Sequence, residues 1–175
     1  MQPKLAALVL EGLKQAHVRV VVALPDTLLK GVYEAASRDP ELRYIPVTNE
    51  AEGAAVAAGA YAGGQRSVLV MENSGLRAAC EALARLGLVN ALPITMLMGY
   101  RGDVGERFHW GLNHGVTMEP ILQALRIPSL MVDREDEIVP AVGRAVIHAV
   151  NSQYHSAVVF RYPLVEDKLA AELPV

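Results

Sequence analysis

Two spacings of apolar residues alternate along the chain. Over residues 3 to 16 the apolar positions are interrupted by Glu11, Lys14 and Gln15, the spacing of an amphipathic helix. VRVVVAL (18–24) then runs apolar without alternation, as a strand buried on both faces does. The exchange repeats with a helix over about 27–38, a strand RYIPV (43–47), a helix over about 50–63 and a strand SVLVM (67–71). GLRAACEALARLG (75–87) reads as a helix and PITMLMG (93–99) as a strand. A Gly-rich polar segment at 100–115 interrupts the rhythm. A helix at about 117–126, a strand SLMV (129–132), a helix at 135–150 and a strand AVVFRY (157–162) complete it. The pattern predicts a three-layer α/β domain over residues 1–165, with a mainly parallel sheet flanked by helices. Residues 166–175 read as a loose or partner-docking tail.

In open parallel sheets, ligands gather beyond the carboxyl ends of the strands. Four polar segments fall there: LPDT (24–27), TNEAE (48–52), ENSG (72–75) and GYRGDVGERFHWGLNHG (99–115). Asp26 stands where a helix N-cap belongs, so capping and a catalytic role both fit it. Asn49 is the cap of the third helix and Glu52 its capping-box partner, which leaves Glu50 at the first helical position. The helix dipole tolerates an anion there but does not require one. Ala55, Gly59 and Gly63 recur at four-residue spacing, allowing close approach of another helix or of a second subunit. Ser74 reads as a cap, with Gly75 easing the bend; the same turn could offer backbone N–H groups to a ligand. The long loop gathers Arg101, Asp103, Glu106, His109 and His114. Their spacing fits no H-E-x-x-H pattern, so a lid with acid/base and anion-binding groups is expected there and a metal is not.

Composition narrows the classes. With 52% hydrophobic and only 5% aromatic residues, the core is aliphatic, and 175 residues suffice to bury one. The net charge of -3, without a basic block, argues against nucleic acid. Cys80 is the one cysteine, so no intramolecular disulfide forms, and it reads as a small buried residue in a reducing compartment. The N-terminal helix lacks the features of a signal peptide. The longest apolar stretch (86–100) is broken by Asn90 and Pro93 and is too short to span a bilayer. A soluble, cytoplasmic protein that does not engage membranes is expected.

NEAEGAAVAAGAYAGG (49–64), ENSGLRAACEALARL (72–86) and PITMLMGYRGDVGE (93–106), with LPDTLLK (24–30) before them, together carry a resemblance. Over about residues 5–162 the chain resembles the pyrimidine-binding domain of thiamine diphosphate-dependent 2-oxo acid decarboxylases. It is most similar to the alpha subunits of sulfopyruvate decarboxylase and the corresponding half of phosphonopyruvate decarboxylases. The resemblance implies that Glu50 exchanges a proton with the N1′ nitrogen of the aminopyrimidine, and that Asn73, Ser74 and Gly75 line the cofactor. It implies that Asp26 assists proton transfer near the substrate, and that Arg101 holds a second anionic group such as a sulfonate or phosphonate. It further implies that His109 or His114, between which the spacing does not decide, takes the place of the family's loop histidine, a catalytic and substrate-binding position.

The family holds the cofactor's diphosphate through a divalent cation, using Gly-Asp-Gly and a downstream pair of asparagines. This chain has Gly102-Asp103-Val104 and no Asn-Asn, and 175 residues leave no room for a second such domain. The resemblance therefore implies a split enzyme. Thiamine diphosphate would be shared with a beta subunit that carries the diphosphate-binding domain and holds Mg²⁺, within a homo- or hetero-oligomer; the chain alone would be inactive. The sequence departs from the family at Glu72, where Gln is usual, and at Arg77-Ala78, where Gly-Asn is usual; an Asp-Glu-Pro-Gln-His stretch is missing from the long loop. Three other readings stand beside this one: a carboligase using the same cofactor, a non-catalytic regulatory or scaffolding homologue, and a flavodoxin-like binder of a small ligand.

Overall fold

Six strands lie side by side in one all-parallel sheet in the computed structural model, which describes residues 1–166. In chain order the elements are α1 (Pro3–Gln15), β1 (Val20–Ala23), α2 (Lys30–Arg38), β2 (Arg43–Pro46), α3 (Glu50–Ala62) and β3 (Ser67–Glu72). They continue with α4 (Gly75–Ala84), β4 (Thr95–Gly99), α5 (Leu112–Ala124), β5 (Ser129–Val132), α6 (Ile138–Ser152), β6 (Ser156–Phe160) and the short α7 (Tyr162–Val165). The strand order is β2-β1-β3-β4-β6-β5. The chain therefore steps outward from β1 to β2 and returns across β1 to β3, so a switch point opens between the carboxyl ends of β1 and β3.

The central strands are buried on both faces, which is why their sequences do not alternate. One face of the sheet is covered by α1, α2 and α6, through Leu5, Val9, Leu13, Val32, Ile138, Val142 and Val146 packed on Val21, Val68, Leu97 and Val158. The other is covered by α3, α4 and α5, through Ala54, Ala57, Ala58, Leu76, Ala79, Leu83, Met118 and Leu122 on Val22, Leu69, Met96 and Val159. Small residues let α3 lie close to the sheet: a Cβ on Gly53 would stand 2.7 Å from Leu69 Cδ1. Its opposite side, with Ala55 and Gly59, faces outward, and nothing lies within 4 Å of a Cβ built on Gly59.

Several boundaries differ from the sequence reading. The polar segment ends earlier than expected, because a 3₁₀ turn at His109–Gly111 leads directly into α5 at Leu112. His114 is thus a helical residue, and α5 is brought in by backbone contact, since a Cβ on Gly115 would fall 2.8 Å from Gly102 C. Such a join needs glycine on both sides, and those glycines hide the helical period from sequence inspection. α4 passes into a π-helical turn at Arg85–Val89, where a Cβ on Gly87 would stand 2.6 Å from His155 Nε2. The last strand closes at Phe160, short of the expected Tyr162, and residues 162–165 form α7 with Tyr162 and Val165 buried. Residues 167–175 of the expected tail lie outside the described residues. No helix among the described residues is long and apolar enough to cross a membrane.

Candidate active site

The four polar segments converge at the carboxyl ends of β1 to β4, on both sides of the switch point. At the end of β2, Asn49 takes extended geometry and its Oδ1 accepts the Glu52 N–H at 2.9 Å, starting α3. Glu52 turns back to accept from both the N–H and the hydroxyl of Thr48, each at 2.7 Å. Those hydrogen bonds hold the Glu52 carboxyl below its ordinary range. With both capping roles filled, Glu50 is left over at the first position of α3, half-buried. Its side chain lies across the start of α4: a Cβ on Gly75 would stand 2.7 Å from Glu50 Oε1 and 2.8 Å from its Cδ. Gly75 is therefore a cradle that only glycine leaves open, and it places one carboxylate over the turn after β3. A carboxyl so placed can hold or release a proton towards a group lying over that turn.

At the end of β1, Asp26 caps the turn that leads to α2, accepting the Leu29 N–H on Oδ1 at 2.9 Å. Its other oxygen accepts the hydroxyl of Tyr33 on α2, a residue the sequence reading did not single out. Burial pushes the Asp26 carboxyl above its ordinary range; the Tyr33 and Leu29 hydrogen bonds pull it back, and the charge of Glu72 adds to the rise. Burial and the Asp26 charge push the Tyr33 phenol far upward, so it remains a donor.

At the ends of β3 and β4, Asn73 and Arg101 clasp reciprocally: Asn73 Nδ2 donates to Arg101 O, and Arg101 N to Asn73 Oδ1, both at 2.9 Å. Asn73 is buried, and its amide is spent on joining the two loops. Ser74 does not cap α4; its hydroxyl donates to Glu72 Oε1 at 2.9 Å. Arg101 is the keystone of the long loop. Its Nε donates to Glu72 Oε2 at 3.3 Å, Nη1 to Glu106 Oε1 at 3.3 Å, and Nη2 to Thr27 Oγ1 at 2.8 Å. Phe108 and Trp110, stacked on each other, and Tyr162 surround the guanidinium with rings. Burial weakens its charge, but Glu106 and Glu72 outweigh burial and hold it firmly protonated. A side chain only 5% exposed, with every nitrogen engaged, is not an open anion receptor. An incoming anion must displace Glu106 or Thr27 to reach it.

Asp103 is likewise committed. It takes a bidentate ion pair from Arg161, at 2.6 and 2.8 Å, and the Tyr162 N–H at 3.0 Å. Among the described residues no group of three His, Cys, Asp or Glu is gathered as a metal site. The two histidines part company. His109 is exposed at the 3₁₀ turn, whereas His114 sits on α5 against α4, its Nδ1 2.6 Å from Arg77 Nη2. Because a guanidinium only donates, Nδ1 is the acceptor and the proton resides on Nε2. Burial and the Arg77 charge hold the His114 imidazole below its ordinary value, so it is neutral at neutral pH.

Comparison with known proteins places the chain in a family. Residues 3–101 match the family model described as thiamine pyrophosphate enzyme, N-terminal TPP binding domain. The sulfopyruvate decarboxylase subunit alpha of Methanococcus maripaludis is 31% identical, over 86% of this chain and 90% of that one. That of Methanothermobacter thermautotrophicus is 38% identical, over 67% of this chain and 71% of that one. A phosphonopyruvate decarboxylase of Streptomyces viridochromogenes is 35% identical over 58% of this chain and 26% of its own length. Among solved structures, a 2-oxoglutarate:ferredoxin oxidoreductase from Magnetococcus marinus superposes with a TM-score of 0.70 over 94% of this chain and 29% of that one; at 14% identity it supports the fold alone. The chain belongs to the thiamine pyrophosphate enzyme family, in the branch of the decarboxylase alpha subunits. The non-catalytic and flavodoxin-like alternatives give way to an enzyme of the thiamine diphosphate-dependent decarboxylase class.

Proposed function

We propose that the chain is the alpha half of a two-chain 2-oxo acid decarboxylase of the sulfopyruvate or phosphonopyruvate type. It holds the aminopyrimidine end of thiamine diphosphate, while a beta subunit with the diphosphate-binding domain anchors the other end through Mg²⁺. The observation that carries this reading is Glu50, placed at the N-terminus of α3 and lying across Gly75. When bound, thiamine diphosphate supplies the carbon nucleophile and accepts the electron pair released with CO2.

The residues of this chain provide placement and proton traffic. Glu50 holds or moves a proton at its carboxylate, in the positive field of the α3 N-terminus. Asp26, fixed at both oxygens, is a second proton site at the switch point. His114 offers an Nε2–H donor beside the turn that follows β3. The Asn73–Arg101 clasp and the Glu72–Arg101–Glu106 chain of charges hold these loops in register.

A separate beta subunit is supported by two features. Asp103, in the chain's Gly-Asp pair, is already bound by Arg161 and so is not free for a cation. Exposed Ala55 and Gly59 on α3 also form a face without side-chain bulk, suited to a closely packed second subunit. A cytoplasmic setting belongs to the same reading.

The test is calorimetry with thiamine diphosphate and Mg²⁺ on the chain alone, on its mixture with a candidate beta subunit, and on that mixture with Glu50→Gln. Tight binding is expected only in the mixture, with 2-oxo acid decarboxylation lost by about 10²-fold or more in Glu50→Gln. Turnover unaffected by that substitution would overturn the reading.

A further inference from the structure

Arg101 and Arg77 stand beyond the carboxyl ends of β4 and β3, and their surroundings differ in kind. Arg101 is buried between the carboxylates of Glu72 and Glu106. Arg77, in the first turn of α4, is exposed and has no carboxylate partner among the described residues. Its contacts are neutral acceptors on α5: Asn113 Oδ1 at 2.6 Å, Asn113 O at 3.5 Å and His114 Nδ1 at 2.6 Å. They aim the guanidinium without compensating its charge. Arg77 lies two residues beyond Gly75, the residue over which Glu50 lies, and the His114 it contacts feels the charges of Glu72 and Arg101. It therefore borders the proposed site.

Carboxylates dominate that site: Asp26, Glu50, Glu72 and Glu106 are there, and one of its cations is already neutralised. A substrate with a second negative group needs an uncompensated cation. We infer that Arg77, aimed by Asn113 and His114, is the receptor for that second anionic group, a sulfonate or phosphonate, and that it takes the place assigned to Arg101 from sequence. The inference rests on the decarboxylase reading above. A planar guanidinium presents parallel N–H donors that match two oxygens of such a group, and the His114 Nε2–H adds a neighbouring donor.

The experiment uses the reconstituted two-subunit enzyme and two substrates, sulfopyruvate and the uncharged-tail analogue 2-oxobutanoate. Arg77→Gln is expected to raise KM for sulfopyruvate about 10- to 100-fold, the range of one charge-assisted contact, and to collapse the preference between the two substrates. Arg77→Lys, which keeps the charge and loses the fork, is expected to fall between. In parallel, methanesulfonate is titrated into the chain alone, followed by the Nε–H resonance of Arg77. A saturable shift of that resonance in the wild type, absent in Arg77→Gln, supports the receptor. An unchanged substrate preference in Arg77→Gln overturns it, as does loss of subunit association, which would assign Arg77 to the partner. If the assembled enzyme decarboxylates neither acid, the functional reading fails, and the methanesulfonate titration still decides the anion site.

Discussion

Asp26 shows how one neighbour sets the chemistry of a residue. Its burial and the nearby Glu72 favour the protonated form, while the Tyr33 hydroxyl and the Leu29 N–H favour the charged one. The folded carboxyl holds its proton to a higher pH than the unfolded reference of 3.8, so folding takes up a proton in that window. Its contribution to stability is complete below the unfolded value and is lost as pH rises through the folded one. Tyr33→Phe keeps the ring and removes the donor. The Asp26 titration is then expected to move further upward, because a hydrogen bond that favours the charged form is lost. Carboxyl ¹³C titration of the chain checks this, and an unmoved midpoint would show that Tyr33 does not govern Asp26. At this scale the sequence was partly legible. Asn49, Glu50 and Glu52 could be sorted because capping rules apply to consecutive residues. Tyr33 lies a helix turn away from any motif, and which of Arg101 and Arg77 is compensated depends on which carboxylates reach it. That depends on how β3, β4 and α5 meet, which local sequence does not specify.

Between elements, the decisive contacts are made by glycines without side chains. Gly75 lets the Glu50 side chain of α3 rest on the start of α4, whereas Gly53 lets α3 rest on β3. The two substitutions should therefore separate site from fold. The nearest atoms that Gly75→Ala meets belong to the movable Glu50 side chain, so the melting temperature should hold within a few degrees while turnover of the assembled enzyme falls by about 10²-fold through misplacement of that carboxylate. Gly53→Ala meets Leu69 Cδ1 at 2.7 Å and Val47 Cγ2 at 3.3 Å inside the core, and should cost about 1–3 kcal/mol in urea unfolding. Equal loss of stability in both would refute the distinction. Strand positions were the most legible part of the chain, because a run such as SLMV or SVLVM is short, apolar and closed by polar turns. The start of α5 was not, because Gly111 and Gly115 remove apolar positions from the helical period and Gly102 closes on Gly115 through backbone atoms alone.

For the whole molecule, the question is why a helix of a stable domain leaves small residues outside. Ala54, Ala57 and Ala58 of α3 are buried against the sheet, so smallness on that side serves the domain's own packing. Ala55 and Gly59 serve no such purpose, since Gly59 has nothing within reach of an added Cβ. A glycine in an exposed helix interior costs about 0.5–1 kcal/mol relative to alanine, a standing cost that the isolated fold does not require. Two-subunit assembly would account for it, because a closely approaching surface tolerates no bulk there. Gly59→Arg tests this directly. In the chain alone it should leave the fold intact, with a melting temperature equal to or slightly above that of the wild type, because a better helix former replaces glycine in open space. Mixed with the beta subunit, it should abolish association in light scattering and, with it, thiamine diphosphate binding and turnover. If the variant assembled normally, α3 would lie outside the subunit interface, and the reach of Glu50 to a cofactor anchored on the partner would have to come from another approach of the two chains.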